Sequence, residues 1–413
     1  MPKKMSNEKT KIKKKVDVAE VVIASPLDDT TYGTDAGNGS ELTIGLQKGK
    51  LVVNTEPHGR ITATGGSFGA DSIVAAAEYD WHDWKGRHYS LEEPARYAKG
   101  EGVWNILQRP METHRNTETR YGDDLHINAI IYGLAKVNAP TDKPLTVVVP
   151  LPPGLIHEYE KPVKRALLEG ENAARDGKWS IRLKGWKQWK TYTIGRVIVM
   201  PEGAPGYAAY AFGLDGQPIR DDYMFDEGSY LLAGHVMVLD LGYGTGDMFS
   251  IVDGKITADA IQHASDNKAG IQVHVASKVL AKVQELTGAE HLTEAHVDGW
   301  LRRWASSGWS EEAAINLVAG KRVEMYKTLL RVCREYADWL HAEKLSAAWR
   351  TGADAVLAVG GGWLYVETPL REKNPKRRIL TPSQFPHLKQ IPIFALNGYG
   401  SLAYLAHYLS KNG

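Results

Sequence analysis

The 413-residue chain has one cysteine, Cys333, so no disulfide can form within it. It also lacks any apolar run near the roughly 20 residues needed to span a bilayer. No secretory leader opens it: the first fifteen residues, MPKKMSNEKTKIKKK, hold seven lysines and no apolar core. Together these absences predict a cytoplasmic protein with no membrane partner. An excess of either charge is missing too. Lys plus Arg is 50 against 49 Asp plus Glu, which excludes a globally basic nucleic-acid binder. There is no G-x-x-x-x-G-K-[ST], hence no ordinary P-loop. There is no H-E-x-x-H and no paired-cysteine spacing, so His82, Asp83 and His88 read as exposed loop residues rather than metal ligands.

What is present fits a large α/β protein. The chain is 43% hydrophobic and 24% charged, long enough for two domains. A basic arm fills residues 1–30, whose contact with nucleic acid is left open. Residues 42–46 and 51–54 flank Gln47-Lys48-Gly49-Lys50 as a hairpin. The run 125–137 reads as a helix, 145–150 as a buried strand and 158–168 as a helix. Residues 180–183 and 191–200 read as strands around a basic, Trp-containing turn. Residues 236–241 form a buried strand, and 249–252 pairs with 255–257 around Asp253-Gly254. From 269 to 348 the pattern is mostly helical, with 3.6-residue spacing over 273–286 and 315–340. A strand at 355–359, a basic loop at 371–378 and a last helix at 396–409 complete the pass. Cys333 sits on an apolar helix face and reads as a small buried side chain.

Two segments share one design. Asp35-Ala36-Gly37-Asn38-Gly39-Ser40 precedes an apolar strand, and Asp240-Leu241-Gly242-Tyr243-Gly244-Thr245-Gly246-Asp247 joins two strands. Glycines let backbone N–H groups approach a polyphosphate with no Cβ in the way. Asn38, Ser40 and Thr245 add side-chain donors. The aspartates repel phosphate, so their role would be to hold Mg²⁺ through its retained waters. Gly360-Gly361-Gly362 after a strand allows close approach of a flat ligand or a phosphate, or simply a tight strand-to-helix turn. Glu202, in Met200-Pro201-Glu202-Gly203, puts a carboxylate beyond a buried strand, where it can orient water or stand as an ordinary surface group.

In this order the four segments resemble the actin-like ATPase superfamily, and most of all the bacterial ParM-like plasmid-segregation group. The resemblance runs over residues 31–413. It implies an α/β fold of two mixed-sheet domains, 31–235 and 236–413, with a nucleotide cleft between them. The last helix, about 396–410, would pack back on the first domain. It implies ATP or GTP as substrate, Mg²⁺ at Asp35 and Asp240, and catalysis by Glu202 and Asp240. Nucleotide contacts would come from Asp35, Gly37, Asn38, Gly39, Gly242, Tyr243, Gly244, Thr245, Asp247 and Gly360, Gly361 and Gly362. It further implies head-to-tail filaments that move plasmid DNA through a DNA-binding adaptor protein. Residues 30–34 are poor in large apolar side chains for such a strand, and 81–120 has no counterpart in the pattern.

Other readings compete. A small-molecule kinase shares the cleft but needs a base facing an acceptor hydroxyl. Gly65-Gly66-Ser67-Phe68-Gly69 matches a nucleophile elbow after a weak strand. Gly242-Tyr243-Gly244-Thr245-Gly246 is followed by a hairpin, not the helix a dinucleotide fingerprint opens. Trp179, Trp186 and Trp189 among lysines and arginines suit single-stranded nucleic acid or a subunit contact.

Overall fold

The computed structural model describes residues 24–37, 40–57, 61–63, 80–86, 95–99, 121–219, 234–256, 266, 268–290, 292–306, 313–316 and 322–412. Asn38, Gly39, residues 65–69, His88, most of the basic arm and most of 87–120 lie outside them. The first half contributes β1 (Thr31–Ala36), β2 (Ser40–Gln47), β3 (Lys50–Pro57), β4 (Ile61–Ala63), β5 (Asp80–Trp84) and β6 (Ala95–Lys99). Then come α1 (Asp124–Lys136), β7 (Leu145–Leu151), α2 (Ile156–Glu169), β8 (Lys178–Leu183), β9 (Lys190–Pro201) and α3 (Ala204–Ala211). Among the described residues these strands make one sheet, ordered β3-β2-β1-β7-β9-β8-β5-β6-β4.

The second half contributes β10 (His235–Leu241), β11 (Gly246–Val252), β12 (Lys255–Ile256), α4 (Ser277–Thr287), α5 (Glu294–Ser306), β13 (Ala314–Asn316) and β14 (Arg322–Glu324). It continues with α6 (Tyr326–Leu340), β15 (Ala355–Val359), α7 (Trp363–Lys373), β16 (Ile379–Leu380) and α8 (Leu396–Asn412). Its main sheet is ordered β12-β11-β10-β15-β16.

The two sheets repeat one plan. In each, an antiparallel hairpin carries the acid-glycine turn, and the hairpin's first strand then pairs in parallel with a strand far along the chain. Thus β3-β2-β1-β7-β9 corresponds to β12-β11-β10-β15-β16. The parallel strands β7, β10 and β15 are almost wholly buried runs of Val, Leu and Ala, as expected when both faces are covered.

Local chemistry fixes the helices. Asp123 caps α1, accepting from the His126 N–H at 2.8 Å, and Asp124 and Lys136 suit its two dipole ends. Helix α6 buries Leu329, Val332, Cys333, Tyr336, Ala337 and Leu340, one stripe at three- and four-residue spacing. Burying Leu329 alone contributes about 2 kcal/mol. Cys333 is buried and its thiol is pushed up to about 12 by that burial, so it is inert.

Four expectations need correction. The helical spacing over 315–340 begins only at Tyr326; before it, β13 and β14 pair as a small hairpin. Arg371 and Lys373 belong to α7 rather than to a basic loop. Trp179 is core: it stacks on Trp84 at 5.5 Å and its indole N–H donates to the Leu167 carbonyl. His82 and Asp83 are buried in β5, not exposed in a loop, where His82 meets Asn128 and Asp83 holds Arg182.

The weak-looking strand β1 proves central and buried. Its small residues have a packing reason. A Cβ on Gly33 would stand 2.5 Å from the Gly398 carbonyl oxygen of α8. On α8 itself, a Cβ on Gly400 would collide with the Pro205 carbonyl of α3. Helix α8 therefore lies tight across α3, β1 and β2. Among the described residues no helix is long and apolar enough to cross a membrane.

Candidate functional site

The sheet registers bring the acidic turns together. In the second sheet Asp240 pairs with Asp247 on β11 and stands level with Val359 on β15, just before Gly360. In the first sheet Asp35 lies near the end of β1, and Leu151 of β7 pairs with Pro201 of β9. The Glu202 N–H donates to the Leu151 carbonyl at 2.7 Å, which turns the chain out at that strand's end. Asp35, Glu202, Asp240 and Gly360 stand at the carboxyl ends of the parallel strands, where open α/β sheets bind ligands, and Asp247 joins them from the start of antiparallel β11.

They line one cavity of about 370 Å³, within the range of small-molecule sites. Asp35, Gly37, Glu202, Asp240, Gly242, Tyr243, Gly244, Thr245, Asp247 and Gly360, Gly361 and Gly362 all face it. Asn38 and Gly39 lie outside the described residues.

Asp240 is the most constrained of the carboxylates. Burial pushes it up to about 6, against the lowering effect of a 2.7 Å hydrogen bond from the Asn397 amide nitrogen. Gly360, at φ +85°, has no side chain because a Cβ there would meet Asp240 Oδ1 at 2.3 Å. Asn397 reaches both halves: its Oδ1 accepts from the Gly203 N–H at 3.3 Å while its Nδ2 holds Asp240. The first turn of α8 thus ties the Glu202 turn to the second sheet. Gly203, at φ +80°, leaves no room for a Cβ against the Phe249 ring of β11.

The second acid-glycine turn is braced from behind. The Gly242 and Tyr243 carbonyls accept from the N–H groups of Ile271 and Gln272, which open the helix running into α4. A Cβ on Gly270 would strike Gly244. Thr245 Oγ1 lies 3.4 Å from Asp247 Oδ2, at the long end of a hydrogen bond.

The cavity has a second end that sequence reasoning missed. Asp298 and Arg302 of α5 enter it, joined at 3.0 Å, with Leu364 and Tyr365 of α7 and Phe394 before α8. Burial opposes the charge of Arg302, but Asp298 overcomes that and holds its pKa above the ordinary value. An i,i+4 Asp–Arg pair on an amphipathic helix reads as a surface ion pair, so only the fold reveals that Asp298 is buried and Arg302 half-buried.

Six carboxylates, those of Asp35, Glu56, Glu202, Asp240, Asp247 and Asp298, line the cavity. Among the described residues no group of three or more Asp, Glu, His or Cys could hold a bare ion. A cation here would keep waters or substrate oxygens in its shell, as Mg²⁺ does. An ion that keeps most of its waters, such as Mg²⁺, needs only one or two of these carboxylates.

Paired sheets of one plan, with a cleft closed by a returning last helix, define the two-domain actin-like fold. Solved structures bear this out. The chain is similar to an archaeal actin homolog at TM-score 0.61 and 14% identity, covering 93% of this chain and 100% of that one. It is similar to Bacillus thuringiensis ParM with ATP at TM-score 0.61 and 16% identity, covering 92% and 99%. It is also similar to a non-polymerisable quadruple mutant of pCBH ParM at TM-score 0.61 and 14% identity, covering 93% and 99%. No family model matches the sequence, and no curated protein matches it.

Proposed function

We propose that this chain is an actin-like ATPase whose nucleotide state controls assembly into head-to-tail filaments. The observation that carries the reading is the single cavity gathering both acid-glycine turns, Glu202 and the Gly360–362 turn. The similar Bacillus thuringiensis structures, crystallised with ATP, AMPPNP and ADP, support a nucleotide there. The non-polymerisable pCBH ParM mutant supports assembly. An open contact between identical subunits builds a filament.

In this reading the domains run 31–235 and 236–413, with 396–410 docked on the first. Mg²⁺ would supply charge neutralisation at the phosphates, held through water by Asp35 and Asp240. Backbone N–H groups at 37–39 and 242–245 would cradle the phosphates and stabilise charge as it develops. Glu202 would orient the attacking water, with Asp240 beside it. Asp247 would brace the second turn through Thr245. Leu364, Tyr365 and the Asp298–Arg302 pair would receive the nucleoside of ATP or GTP. The cargo would be plasmid DNA, reached through a DNA-binding adaptor protein, in the cytoplasm.

The test is light scattering with Mg²⁺ and ATP, GTP or ADP, with phosphate release followed in parallel. A rise with triphosphate that decays as phosphate appears supports the reading and names the nucleotide. No rise, with turnover only when a hydroxyl acceptor is added, sinks it in favour of a kinase. Glu202→Ala is expected to assemble yet release phosphate roughly 100-fold more slowly or worse. Unchanged release removes Glu202 from the chemistry.

A further inference from the structure

The turn between β8 and β9 lies away from the cavity, and of its residues Trp186 packs partly against the core. Residues 178–192, KWSIRLKGWKQWKTY, hold five cations and no carboxylate in a chain whose overall net charge is +1. Trp179 is core, but Trp186 and Trp189 sit half-buried at the turn, with Lys184 and Lys187 exposed between and beside them.

The turn is organised rather than loose. Lys190 Nζ lies 4.2 Å from the centre of the Trp186 ring and donates to Asn138 Oδ1 at 2.7 Å. Trp189 carries Lys85 at 5.1 Å and the Arg182 guanidinium at 5.5 Å. Arg182 is anchored in turn by Asp83, Nε to Oδ2 at 2.9 Å. Cations and aromatic planes therefore alternate at fixed places on one projection.

We propose that this turn binds single-stranded nucleic acid. Its cations meet the phosphates and its two indoles receive unpaired bases. Bases within a duplex are stacked and closed to an indole, so a single strand uses both features where a duplex uses only the charge. Base stacking on an aromatic ring is stronger than an exposed cation–aromatic contact. Lys190 and Lys85 therefore yield their rings to bases and move onto the backbone, while Arg182 stays on Asp83. Strand β9 runs from this turn to Glu202, about 40 Å at strand rise, so a bound strand leaves the cleft open.

The test is fluorescence anisotropy of a labelled oligo-dT with the full chain at low and moderate salt, beside a duplex of equal length and polyglutamate. The expected result is preference for oligo-dT with quenched tryptophan fluorescence. Trp186→Ala with Trp189→Ala should weaken binding roughly 10-fold or more. Lys184→Gln with Lys187→Gln should reduce the log–log salt slope by about 1.4, two phosphates at about 0.7 each. Nucleotide turnover should be unchanged in both pairs. Should the double tryptophan variant lose stability, Trp189→Phe, expected to keep most binding, and the lysine pair still decide. The proposal is overturned by no oligo-dT binding at low salt, by binding that persists in both pairs, or by equal capture of duplex or polyglutamate. Loss of self-assembly in the lysine pair without nucleic acid overturns it too, in favour of a contact between copies.

Discussion

Gly360 is held at φ +85° with its α-carbon against a buried carboxylate. Gly360→Ala meets two costs, a left-handed backbone and a side chain aimed at Asp240. We expect about 2–4 kcal/mol lost in denaturant unfolding and at least a 10-fold loss of nucleotide affinity. Asn397 offers a finer probe. Asn397→Ala removes one partner of a buried carboxylate, so about 1–3 kcal/mol should be lost. The Glu202 turn also loses its tie to Asp240, so turnover should fall further than affinity, a split between kcat and KM. Equal falls would make Asn397 a mere structural prop. The acids and glycines were legible in the sequence because a phosphate-binding turn needs those residue types next to one another. Asn397 was not legible as a bridge, since its two partners lie 194 and 157 residues away.

At the scale of elements, the π turn Gln272–Ala276 links the second acid-glycine turn to α4. His274 lies in it, stacked on Tyr336 at 4.7 Å and tilted against Trp339 at 4.3 Å. Burial holds its pKa below the ordinary value, so the folded state binds fewer protons than the unfolded one. Its neutral form therefore supports the fold above pH ~6.5, and that support is lost as pH falls below it. His274→Phe should narrow the stability difference between pH 7.5 and 5.5 in urea unfolding. An unchanged difference would assign the pH response elsewhere. Strong periodicity made α1, α2 and α6 legible. Three-residue strands such as β13 and β14 were not, because an alternation as short as Ala313–Ile315 or Val323–Met325 is too brief to stand out beside the long helical spacing that follows it. Strand β1 looked poor for the opposite reason: close packing by α8 demanded small residues where a strand pattern leads one to expect large ones.

Across the whole molecule, the cavity lies between two sheets that share no strand. A ligand there binds only the assembled pair, so Mg²⁺ and nucleotide should stabilise both halves at once. At 100 times Kd the gain is about 2.7 kcal/mol, seen as a rise in Tm and slower proteolysis. Asp35→Ala and Asp240→Ala, one from each half, should each abolish that rise. If only one did, the ligand would rest on a single half. The doubled plan was partly visible as two acid-glycine turns. The pairing of the halves came only through the family resemblance, since no short-range pattern encodes it.

Helix α8 adds an ordering in time. Gly33 touches Gly398, so the strand that opens the first sheet is completed only by a segment 365 residues later. On the ribosome β1, β2 and α3 must wait, with one face bare, until nearly all the described chain has been made. Asn397 arrives with that helix. A nascent chain therefore has no finished cleft, and in the proposed function nucleotide-driven assembly would be withheld until synthesis has passed α8. Translation itself would act as the timer that keeps half-made subunits from polymerising on the polysome.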